Sequence, residues 1–214
     1  MHSRIRQSTP RRRGFTLAEV VVVLGVILLL AGIAIPMVEG YIEDAQRTRA
    51  KSETKMLGAA VMNFYKDVGV YPARNTSGQD NRLRVLGTGP SVPASNPFTN
   101  GSSWSSWFLN ASFGDTFDNH LLRNTPQGSS GAAYSTTGEA RWRGPYLADT
   151  APLDPWGRPY MVMVMSFWSS HATNFKKAII LSAGPNGQIE TPANCSDTAE
   201  ISGDDVGLVL ARRL

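Results

Sequence analysis

Five carboxylates, Glu190, Asp197, Glu200, Asp204 and Asp205, share the stretch from Ala183 to Asp205, and no lysine or arginine occurs between Ala178 and Ala211. Like charges crowded into one loop repel unless water or a cation lies among them, and hard oxygen ligands of this kind suit calcium. A solvated acidic loop accounts for the same residues. The second chemical signal is Glu19, an acid at the edge of a segment that stays uncharged from Val20 to Val38. A carboxylate beside such a segment calls for an opposite charge, or for headgroup depth where it complements the helix dipole. Catalytic signatures are missing: there is no Walker loop, GxGxxG, HExxH, CxxC or GxSxG. His2, His120 and His171 have no ligand spacing, and the single Cys195 cannot form an internal disulfide. Nothing in these motifs points to an enzyme.

The elements that position these groups begin with a membrane helix. Val20 to Val38 approaches the roughly 20 apolar residues that span a bilayer. Arg11, Arg12 and Arg13 precede it and Glu39, Glu43 and Asp44 follow, so the positive-inside rule places the N-terminus in the cytoplasm. A secretory signal has a shorter apolar region followed by its cleavage site. Here a Gly14-Phe15 junction comes before the run, so cleavage there keeps the anchor. Cleavage after Ala34, at Gly32-Ile33-Ala34, is the competing route and would release a soluble protein. Pro36 conflicts with the carbonyl of Gly32, which predicts a bend or loosening at residues 32 to 36. Beyond the membrane, Glu39 to Lys55 is polar. Leu57, Val61, Phe64, Tyr65 and Val68 then form an apolar stripe of helical period. Gly69 and Pro72 stop the helix, which at 1.5 Å per residue would run roughly 80 Å from Thr16.

Arg12-Arg13-Gly14 followed by Phe15-Thr16-Leu17-Ala18-Glu19 resembles the prepilin leader of type IV pilins and of the pseudopilins of type II secretion. The resemblance implies that a prepilin peptidase cuts after Gly14, that Phe15 becomes an N-methylated terminus, and that Glu19 attracts a neighbouring subunit's terminal amine. It also implies that the helix loosens near Gly32 and Pro36 on assembly.

Ala73 to Arg141 is rich in Gly, Ser, Thr, Asn and Pro, with aromatics at Trp104, Trp107, Phe108, Phe113 and Phe117. It reads as an insertion of loops with a small satellite core and a short helix over Thr116 to Arg123. Asp154-Pro155-Trp156-Gly157 fits a type I turn, and Pro159 biases Arg158 to extended backbone. A strand from Tyr160 to Trp168 then shows two apolar faces, Tyr160, Val162 and Val164 on one and Met161, Met163, Met165 and Phe167 on the other. Ala178 to Ser182 and Val206 to Leu210 are the next strands, after a turn near residues 169 to 174. This GPYL and DPWGRPY block is similar to that of the major pseudopilin of type II secretion. There the loop equivalent to 183–205 binds calcium, which carries over to Asn186, Asp204 and Asp205, with Asn186 standing where the family usually has aspartate.

The expected fold is α+β and pilin-like: a leader at 1–14, a transmembrane helix at 15–38, an amphipathic continuation at 39–68, and an exported domain at 69–214 built on a small antiparallel sheet. Five of the 21 basic residues, Arg4, Arg6, Arg11, Arg12 and Arg13, lie in the leader, so removing them takes the formal charge from +4 to −1. The pI near 9.4 therefore belongs to the precursor, and a nucleic-acid surface loses its support. The resemblance implies a single-pass protein of the bacterial inner membrane, with its domain periplasmic or extracellular in a filament. Its partners would be copies of itself, other pilin-like subunits, the prepilin peptidase and methyltransferase, and an inner-membrane assembly platform. Two readings compete with the secretion pseudopilin: a minor type IV pilus subunit, and a membrane-anchored surface-binding protein that uses the aromatic insertion.

Overall fold

A computed structural model describes residues 14–167, 176–194, 196 and 200–212. The arginine-rich leader, Trp168, the turn at 169–174 with His171, Cys195 and Asp197 lie outside the described residues.

The chain divides into two units, Met1–Asp44 and Ala45–Leu214. Helix α1, Leu17–Val68, contributes to both. Within the first unit its apolar side chains are exposed, Leu28 at 72 % and Leu29 at 66 %. Among the described residues it is the one helix long and apolar enough to cross a membrane. Pro36 lies inside α1, which remains helical through Gly32 to Pro36, so whatever loosening Pro36 causes is not a break in the helix.

In the second unit α1 buries Ala50, Thr54, Leu57, Gly58, Ala60, Val61 and Phe64. These positions trace one stripe at three- and four-residue spacing, as an amphipathic helix requires. Tyr65 falls at the stripe's margin, 39 % exposed, and stacks on Tyr71 at 4.2 Å. Gly58 is where β5 comes close, because a Cβ there would stand 2.7 Å from Leu210 Cδ2. Gly69, at a φ of +77°, closes the helix by donating to Tyr65 O at 2.8 Å.

The helix packs on a five-stranded sheet: β1 Val85–Gly87, β2 Gly114–Thr116, β3 Met161–Met163, β4 Lys177–Ser182 and β5 Val206–Arg212, in the order β2-β1-β3-β4-β5. The sheet is mixed, which corrects the expectation of an antiparallel one. β1 and β2 pair in parallel, Val85 opposite Gly114, while the other pairs are antiparallel. Parallel strands need a crossover, and helix α2, Ser103–Phe108, lies in the connection between them. Residues 73–141 are thus part of the sheet, supplying two of its strands.

The alternation in β3 falls as read. Tyr160, Val162 and Val164 join the α1 core with Leu86 and Ile180, while Met161, Met163 and Met165 join a second core with Val85, Ile179 and Leu181. That second core is roofed by Phe98, Trp104 and Phe108, so the aromatics expected to form a satellite cluster are instead the far layer of the sheet. Phe117 goes to the α1 core. The strand itself is shorter than expected, giving way to a 3₁₀ turn at Met165–Phe167. Its pairing with β1 ends where Val164 N and Met165 N both donate to Arg84 O, a two-to-one match that bends the chain out of register. The short helix expected over Thr116 to Arg123 is a π-helical turn at Asp118–Leu122.

Candidate functional site

Two places gather the residues singled out in the sequence. At the start of α1, Phe15 is 88 % exposed and Gly14 precedes it. Thr16 is the helix N-cap. Glu19 N donates to Thr16 Oγ1 at 3.3 Å, and Thr16 N and Oγ1 both donate to Glu19 Oε2 at 2.8 Å. This reciprocal pair is a capping box, and its signature, a threonine followed three residues later by glutamate, stood in the sequence unread. The bond set occupies only Oε2.

The second place is the acidic loop between β4 and β5. Asp205 Oδ2 accepts from Thr191 N at 2.7 Å, Thr191 Oγ1 at 2.6 Å and Glu190 N at 3.1 Å. Asp204 Oδ2 accepts from Asn186 N at 3.0 Å, and Glu190 Oε2 accepts from Asp204 N at 2.9 Å. These carboxylates draw the two ends of the loop together by taking backbone N–H groups that no strand satisfies. Gly203, at a φ of +64°, leaves room for the Glu190 carboxylate, which any Cβ there would overlap. Glu200 is exposed.

Of the three residues expected to ligate a cation, Asp204 and Asp205 each keep one buried oxygen, Oδ1, with no hydrogen-bond partner. Such orphaned acceptors fit a hard cation. Asn186 fits less well, because its Oδ1 already accepts from Gln188 N at 2.6 Å. Among the described residues no group of three or more His, Cys, Asp and Glu side chains is arranged to hold a metal. Burial is the first cause that pushes the Asp205 carboxyl up to about 6, and the Glu190 charge adds to it while the bonds from Thr191 and Glu190 N oppose.

The loop is fastened from two sides that sequence reasoning missed. From the insertion, Thr99 N donates to Gly187 O at 2.9 Å, Asn100 exchanges bonds with Ile189 through O and N, and Trp104 Nε1 donates to Thr191 O at 3.0 Å. From the turn before β3, Arg158 donates to Gly184 O at 3.1 Å. Asp154 organises that turn. It accepts from Trp156 N and Arg158 N through Oδ1, and from Ser182 Oγ through Oδ2. Burial raises its carboxyl above the ordinary aspartate value. No sequence spacing announces contacts of this range.

The insertion carries one further polar cluster. His120 is buried, with Nε2 2.9 Å from Asp115 Oδ2 and Nδ1 2.9 Å from the Tyr134 hydroxyl. Its main chain accepts from Trp142 Nε1, and Asp118 Oδ1 accepts from Ala151 N. The histidine thus belongs to a tie between the insertion and residues 142–151. The proposed aromatic binding surface shrinks accordingly, since Trp104, Phe108 and Phe117 are buried and only Trp107 and Phe113 are partly open.

A capped apolar helix with an exposed Gly14-Phe15 junction, leading into a mixed sheet closed by an acidic loop, defines a pilin-like protein. The known proteins agree. Residues 9–35 match the prokaryotic N-terminal methylation motif, and residues 116–200 match protein G of the type II secretion system. Over these two segments the chain is similar to type IV pilins and type II secretion pseudopilins. Type II secretion system core protein G of Pectobacterium carotovorum subsp. carotovorum is 35 % identical over 40 % of this chain and 52 % of that protein. Fimbrial protein EcpC of Eikenella corrodens is 36 % identical over 31 % of this chain and 43 % of that protein, and the type IV major pilin PilA of Myxococcus xanthus is 35 % identical over 32 % and 31 %. The chain therefore spans between about a third and a half of the length of these relatives. No solved structure matches it. The relatives are structural proteins by name, not enzymes.

Proposed function

We propose that this chain is a structural subunit of the pseudopilus of a type II secretion system, without catalytic activity. The observation that carries the reading is the match of residues 116–200 to protein G, a span that holds the Asp154 turn, β3, β4 and most of the acidic loop. Prepilin peptidase cuts between Gly14 and Phe15 on the cytoplasmic side and the new Phe15 amine is methylated. Glu19 then meets the amine of a neighbouring copy as the subunit leaves the inner membrane for the filament, through the assembly platform, and α1 loosens at Gly32 and Pro36. An opposite charge within about 4–6 Å offsets the cost of carrying a carboxylate out of water. Calcium bound by Asp204 and Asp205, with Asn186 at the margin, stabilises the loop, and the orphaned Oδ1 atoms support this. The type IV pilus reading draws on the fimbrial relatives.

The two systems separate on one genetic test. Deleting the chain in its own host is expected to stop export of secreted proteins and leave surface pili in place. Loss of pili with export intact would move the subunit to the pilus.

A further inference from the structure

Arg84 stands immediately before β1 with its backbone fixed on both sides. Its N donates to Phe113 O at 2.7 Å, and its O accepts from Val164 N at 3.0 Å. The guanidinium carbon lies 3.9 Å from the centroid of the Phe113 ring and 5.1 Å from that of Trp107. Nε is buried and has no hydrogen-bond partner. Among the described residues no carboxylate or carbonyl bonds the Arg84 side chain. Its neighbours in kind differ: Arg49, Arg74, Arg123 and Arg143 each face a carboxylate, and Arg158 holds a carbonyl. Among the described residues Arg84 is the case in which a guanidinium is held by two aromatic faces and makes no side-chain hydrogen bond.

A guanidinium held this way has lost most of its rotamer freedom before anything binds. With Nε sealed, the planar Nη edge is what remains for an acceptor, and that fork matches a carboxylate. The stack is half-exposed and therefore open to a group offered by another protein surface. Carboxylates with no side-chain bond among the described residues stand exposed on this same chain at Glu39, Asp44, Glu139 and Glu200. Arg84, Trp107 and Phe113 all lie outside the two segments that match known families, 9–35 and 116–200, so the device belongs to this chain's own insertion. We propose that the Trp107–Arg84–Phe113 stack receives a carboxylate from a neighbouring copy of the chain and forms a contact between subunits. This rests on the filament reading above.

The test uses the full chain in its host membrane. Arg84→Gln removes the charge, and Arg84→Lys keeps it without the fork. Both are expected to be processed and inserted, yet to yield at least about tenfold fewer sheared filaments than wild type, the loss that a contact of about 1.4 kcal/mol per junction produces. A second measurement covers the case in which Arg84→Gln misfolds. A photoactivatable benzoylphenylalanine at Ser106 or Ala111, exposed positions flanking the stack in sequence, is introduced with Arg84 intact. Crosslinks between copies of this chain are the expected product. Wild-type filament yield from Arg84→Gln overturns the proposal, as do crosslinks that reach only other proteins or none at all. Failure of the filament reading looks different: wild type itself would form no filaments, and Glu19→Ala would change nothing.

Discussion

Asp205 gives the acidic loop a pH signature that can be worked out in advance. It is 8 % exposed, and burial together with the Glu190 charge moves its carboxyl from the ordinary 3.8 to about 6. The folded state therefore holds its proton more tightly than the unfolded chain does. Below the unfolded value both states are protonated and the full stability is present. As pH rises through about 6 the folded carboxyl ionises at a cost, and stability falls. A gap of about two units bounds the effect near 3 kcal/mol, and solvent screening at the loop's mouth brings it to about 1–2 kcal/mol. For a unit of this size that is a fall in Tm of roughly 2–8 °C between about pH 4 and pH 7.5. Asp154, also raised by burial, titrates with the same sign, so the comparison must be with Asp205→Asn. That variant keeps an acceptor for Thr191 and lacks the ionisation. Its amide nitrogen takes the place of the orphaned Oδ1, so its baseline can fall, and the slope is what is read. The assay is thermal unfolding of the fragment beginning at Ala45, in chelator and then in millimolar calcium at constant ionic strength. Calcium at one hundred times its Kd adds about 2.7 kcal/mol at the upper pH and little at the lower, where a bound proton competes. An Asp205→Asn slope equal to that of wild type would refute the assignment. Identical melting in calcium, magnesium and chelator would remove the metal from the account.

Glu19 separates into two roles by a pair of substitutions. Glu19→Gln keeps an acceptor for Thr16 N and Oγ1 but has no charge, while Glu19→Ala loses both; if charge pairing drives assembly, both variants insert and are cleaved yet neither enters filaments, and normal assembly of the glutamine variant would reduce Glu19 to a helix cap. Processing is checked by intact mass: the mature chain should begin at a methylated Phe15, and a mature chain lacking Val20 to Ala34 would show that signal peptidase cut instead.

What the sequence disclosed was governed by range. The α1 stripe, the two faces of β3 and the Asp154 turn are set by neighbours within a few residues; period exposed the first two and turn-residue types the third. The Thr16–Glu19 box is equally local, but a charge beside an apolar run points first to the membrane and to a partner charge, and the cap it forms with Thr16 is the less conspicuous use of the same carboxylate. The mixed sheet was hidden for a different reason. β1 and β2 are three residues each, too short for alternation to register; β1 is held by Val85 and Leu86 packing on opposite cores, and β2 by its backbone pairing with β1. The polar punctuation of residues 73–141 was read as looseness, whereas Thr99, Asn100 and Trp104 spend their bonding on the acidic loop. That loop looked like free carboxylates because their backbone partners, Thr191 N and Asn186 N, have no side-chain signature.

The capping box also bears on why cleavage and assembly would be linked. In the uncut chain Phe15 N is an amide, and Glu19 Oε2 has only Thr16 to satisfy. Cutting after Gly14 turns that nitrogen into an ammonium at the end of α1, where the helix macrodipole is already positive. The processed helix then carries two positive features at one terminus, with a single carboxylate nearby whose Oε2 is committed to the cap. The remaining oxygen, Oε1, has no hydrogen bond among the described residues. On the proposed function, a second α1 packed alongside would supply its own Oε1 to the excess charge, and each copy would repeat the arrangement for the next. On the proposed function, proteolysis creates the charge that the neighbouring Glu19 relieves, so uncut chains have less reason to associate.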